Sequence, residues 1–305
     1  MLRYRKLSAL VIVSLLLSLS LNCQAGSTGS SIFGLPVTAR SLVMGNVYAD
    51  FRRENSGLLD GPTLTSLYSN QFGELSYASA ELRSNNWAIS YRELRSGELT
   101  ERGFRGKPTG NTFRYRRRGL TGQFSKLIND VRLKLKGRVL QKKTGVNYLG
   151  GSLSPSVSCE INPFVFGAEF HNLITSGIFE SDEGSSPWNK ELTFGFGFDG
   201  GRFNFGMDIE AELHERGVEP GGIRLGSELW ITDFVAVRIG VLDQLRHTIG
   251  WEIRGGNIHV NYAFLRHSEL PDSHFVSFSW VFEDLRKVES RRPSGKEEKS
   301  NQSLN

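Results

Sequence analysis

Cysteine is almost absent from this chain, which contains 2 among its 305 residues. They are Cys23 and Cys159, and a pair so far apart in the sequence does not form the closely spaced set that a zinc site needs. Cys23 lies in an N-terminal segment that we expect to be removed, so one thiol would remain. These observations exclude a disulfide-rich scaffold and a cysteine-based metal site.

Catalytic and nucleotide-binding motifs are also missing from the sequence. There is no Gly-x-Ser-x-Gly nucleophile elbow and no Walker-type phosphate loop. The 6 histidines occur without the spacing of metal ligands. The formal net charge is +5 and falls to about +2 without residues 1–25, a balance too small to indicate nucleic-acid binding. We therefore predict that the protein is no enzyme and has no cofactor, metal or nucleic-acid partner.

The long apolar run of this sequence lies at its N-terminus. Three basic residues precede an apolar stretch at 7–21, which ends at Cys23-Gln24-Ala25, a site with the small residues that a signal peptidase requires. We expect residues 1–25 to be a secretory signal peptide. Two alternatives stay open: a retained single-span helix, for which the run is short, and lipidation of Cys23, which the preceding asparagine disfavours.

Apolar and polar side chains alternate through most of the remaining chain. In 131–139 the odd positions are apolar or glycine, whereas every even position is Arg or Lys. A strand directs these two sets to opposite faces, while a helix would scatter the charges around its axis. The segments 192–198 and 203–213 alternate in the same way and flank the tight-turn sequence Asp199-Gly200-Gly201. The pattern predicts strands with one apolar and one polar face.

The fold class that follows is all-β, an antiparallel transmembrane β-barrel of about fourteen strands between residues 63 and 282. The predicted strand spans are 63–69, 74–82, 87–94, 113–128, 131–142, 152–161, 164–172, 191–198, 203–213, 222–231, 234–242, 245–254, 258–264 and 274–282. Short and long connections tend to alternate, as in outer-membrane barrels, whose tight turns lie in the periplasm. The longer connections are predicted at 95–112, 143–151, 173–190, 214–221 and 265–273.

Two flanking segments fall outside the predicted strands. Residues 26–62 are glycine-rich, with a short helical stretch around 38–51. Residues 283–305 are charged and polar, with too little apolar surface to fold. We expect the first to be a plug-like N-terminal segment and the second to be a disordered polar tail.

Six short motifs follow one another along almost the whole mature chain. They are Gly34-Leu-Pro-Val-Thr-Ala-Arg-Ser-Leu-Val-Met-Gly-Asn-Val-Tyr48, Phe72-Gly-Glu-Leu-Ser-Tyr-Ala78, Arg224-Leu-Gly-Ser-Glu-Leu-Trp230, Val237-Arg-Ile-Gly240, Asn261-Tyr-Ala-Phe264 and Leu270-Pro-Asp-Ser-His274. In this order they resemble the PorV/PorQ-like family of outer-membrane barrels, which are related in architecture to FadL-type fatty-acid transporters. The sequence departs from the family at 55–62, where the common Asn-Pro-Ala-Gly element is missing.

The resemblance implies a fourteen-stranded barrel whose N-terminal segment folds into the lumen. It also implies two possible functions for such a barrel. PorV-type relatives serve a machinery for protein secretion and surface attachment, whereas FadL-type relatives pass hydrophobic compounds. A closed structural or scaffold barrel is a further alternative.

Basic side chains form a ladder on two neighbouring predicted strands. Because a basic side chain at the lipid midplane costs about 2–4 kcal/mol, we expect the polar face to point into the lumen. The side chains that we predict to line the lumen are Arg114, Arg116, Arg118, Arg132, Lys134, Lys136, Arg138, Asp208, Glu210 and Glu212. This assignment leaves Arg117 on the lipid face. Two interpretations stay open: an electropositive lumen for anionic solutes or acidic peptide, or a neutralised ion-pair network that closes the lumen.

Aromatic residues are distributed as in the interfacial girdles of outer-membrane barrels. The candidates are Trp87, Tyr91, Tyr115, Trp230, Trp251, Tyr262, Trp280 and Phe282, although Trp230 shares the phase of Arg224 and Glu228. We predict a location in the bacterial outer membrane with membrane lipid as a partner. Further predicted partners are proteins of a secretion machinery or a small amphipathic or anionic solute.

Overall fold

A barrel of antiparallel strands forms the body of the protein. The computed structural model describes residues 32–45, 61–71, 75–102, 108–144, 146–179, 188–214, 217–242, 246–267 and 271–282. Within these ranges the elements are a 3-10 turn Ile32–Gly34, helix α1 Ala39–Val43, and strands β1 Thr63–Gln71, β2 Leu75–Arg83, β3 Trp87–Ser96, β4 Leu99–Arg102, β5 Pro108–Phe113, β6 Arg116–Ile128, β7 Val131–Thr144, β8 Val146–Ile161, β9 Phe164–His171, β10 Ile174–Phe179, β11 Lys190–Asp199, β12 Phe203–His214, β13 Gly217–Trp230, β14 Val235–Leu242, β15 Arg246–Gly255, β16 Ile258–Leu265 and β17 Ser273–Val281.

The sheet closes on itself because its first and last strands pair. Thr63 on β1 lies opposite Val281 on β17, and the two strands stay in antiparallel register over their length. β9 and β10 both pair with β8 and lie end to end, so they count as one strand of the wall. Over the described ranges the wall therefore has the predicted fourteen strands, and β4 and β5 form a separate hairpin between β3 and β6. The predicted fold class is confirmed.

Side-chain alternation divides the wall into two faces. On β7 the outward Leu135 is 50% exposed, whereas its inward neighbour Lys134 is 5% exposed. β1 shows the same strict alternation of buried and exposed residues. Large apolar side chains on the outside and buried charges on the inside are the reverse of a water-soluble fold, and they are the arrangement that hydrocarbon around the barrel requires.

The interruption between β9 and β10 has a local cause in the sequence. Pro155 on β8 has no N–H with which to continue the ladder, so the neighbouring strand bulges opposite it. Asn172 lies at this bulge with a φ of 55°. Its backbone N–H donates to the Ser154 hydroxyl at 2.9 Å. The predicted single strand at 164–172 is thus continued by β10 after a short break.

The two ends of the barrel differ in their connections. The end that we call the turn rim carries the tight connections 84–86, 129–130, 162–163, 200–202, 231–234 and 256–257. The opposite end, the loop rim, carries the long connection between β3 and β6. Two of the predicted long loops, 143–151 and 214–221, are instead mostly strand, because β7 with β8 and β12 with β13 continue their pairing beyond the predicted boundaries.

Residues 32–45, which we call the lumen segment, lie inside the barrel. α1 contacts β14 to β17, and the 3-10 turn contacts β3 and β6. Ile32, Leu42 and Val43 are at most 3% exposed and join inward side chains of the wall in one apolar cluster. None of the helices in the described residues is long and apolar enough to cross a membrane.

Several predictions concern residues outside the described ranges. These are the signal peptide at 1–25, most of the segment at 26–62, and the polar tail at 283–305. The first part of the family-like motif that begins at Phe72 also falls there. They stay predictions from the sequence.

Candidate functional site

The lumen segment takes its shape from local sequence signals. Thr38 caps α1, since its hydroxyl accepts the backbone N–H of Ser41 at 2.9 Å. The Ser41 hydroxyl in turn accepts the Thr38 N–H, which completes a capping box. The chain leaves the helix through Gly45, whose φ of 76° suits glycine. The result is a compact turn small enough to fit inside the barrel.

Polar groups of the wall hold the backbone of the lumen segment. The Ser277 hydroxyl accepts the Ala39 N–H at 3.1 Å. The Thr248 hydroxyl donates to the Val43 carbonyl at 3.1 Å. These contacts tie the segment to β17 and β15. They are neutral hydrogen bonds, each contributing about 0.5–1.5 kcal/mol.

The other side of the wall holds the segment by its first residues. The Tyr77 hydroxyl donates to the Pro36 carbonyl at 2.7 Å, and Arg92 donates to the Phe33 carbonyl at 2.8 Å. The Phe33 ring stacks on Trp188 with centroids 5.7 Å apart. The segment therefore spans the lumen between opposite parts of the wall.

Four inward glycines, at positions 119, 226, 240 and 250, let the lumen segment approach the wall. A Cβ added at Gly119 on β6 would lie 2.7 Å from the Phe33 ring. A Cβ added at Gly226 on β13 would lie 2.6 Å from the Met44 Cα. At Gly226 the contact is with backbone, so the position of the segment there depends on glycine, whereas a side chain at Gly119 would require the Phe33 ring to shift.

A buried network of charges, which we call the Arg238 cluster, lies beside α1. Its members are Arg40, Asn204, Glu228, Trp230, Arg238, Glu252, Arg254, His259 and Asn261. Arg238 is fully buried and donates to Glu228 at 2.7 Å, to Asn261 at 2.9 Å and also to Glu252. Arg40 of the lumen segment joins the network through Glu228 at 3.1 Å. The cluster thus links β12 to β16 with the segment.

A second network, the Glu169 cluster, lies on the part of the wall formed by β7, β8 and β9. The Lys136 ammonium is 2.6 Å from Glu169, and the Arg138 guanidinium is 3.6 Å from the same carboxylate. His171 contacts Glu169 at 3.1 Å. The Arg138 guanidinium also lies over the Phe33 ring, 5.4 Å from its centroid. This cluster brings cationic groups to the first part of the lumen segment.

The predicted lumen residues on β7 and β12 lie on the inward face. On β7 these are Arg132, Lys134, Lys136 and Arg138, which alternate with outward Val131, Leu133, Leu135, Gly137 and Val139. On β12 they are Asp208, Glu210 and Glu212, all buried or half-buried. Glu210 pairs with Arg224 at 2.8 Å. The structure brings each set together on its own strand, and the two sets lie on separate parts of the wall.

The prediction for β6 was wrong in phase. Arg116 and Arg118 share the outward face of Leu120 and Phe124, and Arg114 is exposed just before the strand. The inward positions of β6 are Arg117, Gly119, Thr121, Gln123 and Ser125. The phase is fixed by the apolar residues further along β6, which must face lipid. The two outward arginines lie at the loop-rim end of the strand, where the cost of facing outward is small.

The sequence prediction missed the central residue of the Arg238 cluster. Arg238 alternates with Val237 and Ile239 on β14, which is a strand with one inward charge. Trp230, a predicted girdle residue, is 5% exposed and faces inward, in the phase of Glu228. Its indole N–H donates to Glu228 at 2.8 Å, and Arg254 lies over its ring at 3.9 Å. Among the described residues no group of His, Cys, Asp and Glu side chains could hold a metal ion.

Comparisons with known structures find outer-membrane barrels. The Pseudomonas putida toluene transporter TodX is similar at 12% identity and a TM-score of 0.50, over 80% of this chain and 98% of the TodX chain. A further TodX structure has 13% identity and a TM-score of 0.47, over 83% and 100% of the two chains. The Acinetobacter baumannii outer membrane protein Omp33 has 9% identity and a TM-score of 0.44, over 74% and 100%. No family model and no curated protein matches the chain. The likeness to the first TodX structure shows the barrel fold alone.

Proposed function

We propose that this protein is a transport barrel of a bacterial outer membrane that passes small amphipathic or anionic solutes, with the lumen segment restricting the path. The observation that carries the proposal is the position of residues 32–45 inside a closed barrel with a charged inner face. The apolar outer face is what holds a barrel in lipid, and it requires no ion pairs inside. Buried ion pairs contribute little to stability, so an elaborate charged interior favours a role in the lumen.

The chemistry of the wall supports an anionic group on the solute. Four basic side chains on β7 lie opposite four inward serines on β8, in the pairs Arg132–Ser158, Lys134–Ser156, Lys136–Ser154 and Arg138–Ser152. Ammonium, guanidinium and hydroxyl groups donate hydrogen bonds, which suits a carboxylate or phosphate. The Phe33 and Trp188 rings beside this wall offer an apolar surface for the rest of an amphipathic solute.

The contacts that hold the lumen segment support the proposal that it can move and open the path for a solute. Side chains of the wall form single hydrogen bonds with its backbone, and Arg40 forms an ion pair with Glu228. No covalent bond joins it to the wall within the described residues. Such contacts can break one after another when a solute competes for them.

The test is to displace the segment and to measure conductance. In the G119V/G226V variant, both added side chains would overlap the lumen segment, so we expect planar-bilayer conductance well above that of the wild type, with a reversal potential that favours anions. The control is G122V, because Gly122 lies on the outward face of β6 with open space around it. It should conduct as the wild type does.

A closed scaffold barrel is the second candidate, and the Arg238 cluster favours it. This network joins several wall strands and the lumen segment around the fully buried Glu228 and Arg238, which would keep the lumen closed. If G119V/G226V is folded and conducts no more than the wild type and the control, the transport proposal is rejected and the closed scaffold barrel is supported. If G122V leaks as much, the conductance reports loosened packing and counts against a role of the segment.

The PorV/PorQ-type function in protein export is a finer prediction that comes from the sequence motifs. Part of one motif, Gly34 to Gly45, lies in the lumen segment. With that function, the barrel would bind proteins of a secretion machinery. Deletion of the gene, with a count of proteins lost from the cell surface, tests it, and an unchanged surface proteome would reject it.

A further inference from the structure

Charged side chains on the outward face of the described barrel strands concentrate in one patch. It consists of Glu93 and Arg95 on β3, Arg116 and Arg118 on β6, and Lys143 on β7, and we call it the outer basic patch. Elsewhere on the described wall strands, outward Asp, Glu, Lys and Arg are limited to Lys126 near the turn rim and Lys190 at the start of β11. The patch contains four cations and one anion, whereas outward charges are rare elsewhere on the described wall strands.

The strand register arranges the patch in two rows. Tyr91, Leu120 and Val139 lie side by side and end the apolar band. The next outward row towards the loop rim is Glu93, Arg118 and Gln141, and the row after it is Arg95, Arg116 and Lys143. Two residues along a strand span about 6.8 Å, so at a tilt near 40° each row rises by about 5 Å.

The height of these rows matches the headgroup layer of a membrane. From Val131 to Val139 the outward residues of β7 are apolar or glycine, and this stretch covers about 27 Å along the strand, or about 21 Å of height after tilt. This is close to the apolar band of about 25 Å that barrels present to lipid. Tyr91 at the upper edge of the band is the aromatic residue expected at an interface. The basic rows therefore begin where lipid phosphates lie.

The internal contacts of the patch position its arginines and leave it cationic. Glu93 accepts from Arg116 at 2.6 Å and lies 3.5 Å from Arg118, while Tyr91 donates to Glu93 at 3.1 Å. Within the described residues, Arg95 and Lys143 have no ion-pair partner. One carboxylate thus orients two guanidinium groups, and the net charge of the patch stays positive.

We propose that the outer basic patch binds the phosphate group of a membrane lipid in the leaflet at the loop rim. Guanidinium groups bind phosphate oxygens in pairs, and the two rows offer such groups from neighbouring strands at headgroup height. The acyl chains of the same lipid would lie along Leu120, Val139 and the apolar residues below them. The proposal depends on the transmembrane fold and is independent of what the lumen transports.

The experiment is a lipid-binding measurement by native mass spectrometry on the full chain in detergent. The probes are phosphatidic acid, which carries a phosphomonoester, and phosphatidylcholine. The R95Q/R116Q/K143Q variant should bind phosphatidic acid at least roughly tenfold more weakly than the wild type, since each cation near a membrane surface contributes to anionic-lipid binding. The matched control K126Q/K190Q removes the other outward lysines and should bind as the wild type does.

A folding check, a second variant and a competition measurement complete the experiment. Heat-modifiable migration in gels checks that each variant is folded. If the triple variant does not fold, it is replaced by R95Q/K143Q, which leaves the Arg116–Glu93–Arg118 contacts intact. Equal lipid binding by variant and wild type, or an equal loss in the control, overturns the proposal. Competition by inorganic phosphate or glycerol 3-phosphate at the same concentration as the lipid would indicate a soluble anion site and overturn the lipid assignment.

Discussion

The buried guanidinium group of Arg238 requires hydrogen-bond acceptors from several strands of the barrel. This group has no contact with bulk solvent, so every donor needs an acceptor nearby. Glu228, Glu252 and Asn261 supply them from β13, β15 and β16. The carboxylates, in turn, depend on this cation, because a buried carboxylate without a partner is strongly unfavourable.

Replacement of Arg238 by methionine should therefore destabilise the barrel by about 3–5 kcal/mol, since Glu228 and Glu252 would lose their shared cation. The measurement is urea-induced unfolding in detergent micelles, followed by tryptophan fluorescence. The control is R202Q, which breaks an ion pair of 3.9 Å with Asp233 at the surface and should leave the free energy of unfolding unchanged. If the R238M barrel is as stable as the R202Q barrel, the stability of Glu228 and Glu252 in the interior does not depend on the charge of Arg238.

At the scale of the element, β7 shows why the alternation could be interpreted from the sequence. Every outward position from Val131 to Val139 is apolar or glycine, and every inward position is basic, so one register is compatible with lipid. β6 lacks this clarity at its first residues, where Arg116, Arg117 and Arg118 are consecutive. Charges occupy both faces there, and the phase follows from Leu120 and Phe124 further along the strand.

The L135R variant tests the membrane position of β7. Leu135 lies outward at the middle of the apolar stretch, so an arginine there should cost about 2–4 kcal/mol, whereas V131R at the turn-rim end should cost about 0–1 kcal/mol. The free energy of unfolding in lipid bilayers measures the difference. Equal values for the two variants would contradict the assigned depth of the strand.

At the scale of the whole molecule, the lumen segment connects parts of the wall that are distant along the sequence. Its first residues contact β3 and β6, and α1 contacts β14 to β17. The segment thereby contacts both charged clusters, through Arg40 on one side and Phe33 on the other. Any solute path through the barrel has to pass this crossing.

A reversible tether tests whether the segment must move. The tether is a disulfide between cysteines at positions 39 and 277, with Cys159 replaced by serine, because the Ala39 backbone nitrogen lies 3.1 Å from the Ser277 hydroxyl oxygen. In the otherwise wild-type barrel we expect the oxidised A39C/S277C variant to conduct less than the reduced one, which should conduct as the untethered barrel does. Unchanged conductance after oxidation would show that α1 does not restrict the path.

The sequence by itself determined the number of strands, the two faces of most of them and the tight turns of one rim. These features depend on residues close together in the chain, and lipid on one side of a strand imposes a strict period of two. Only the tertiary structure decided which inward charges pair, the phase of β6 at its first residues, and the seat of the lumen segment. Partners such as Arg40 and Glu228 are 188 residues apart in sequence, and barrel closure brings them together, so no local pattern could reveal them.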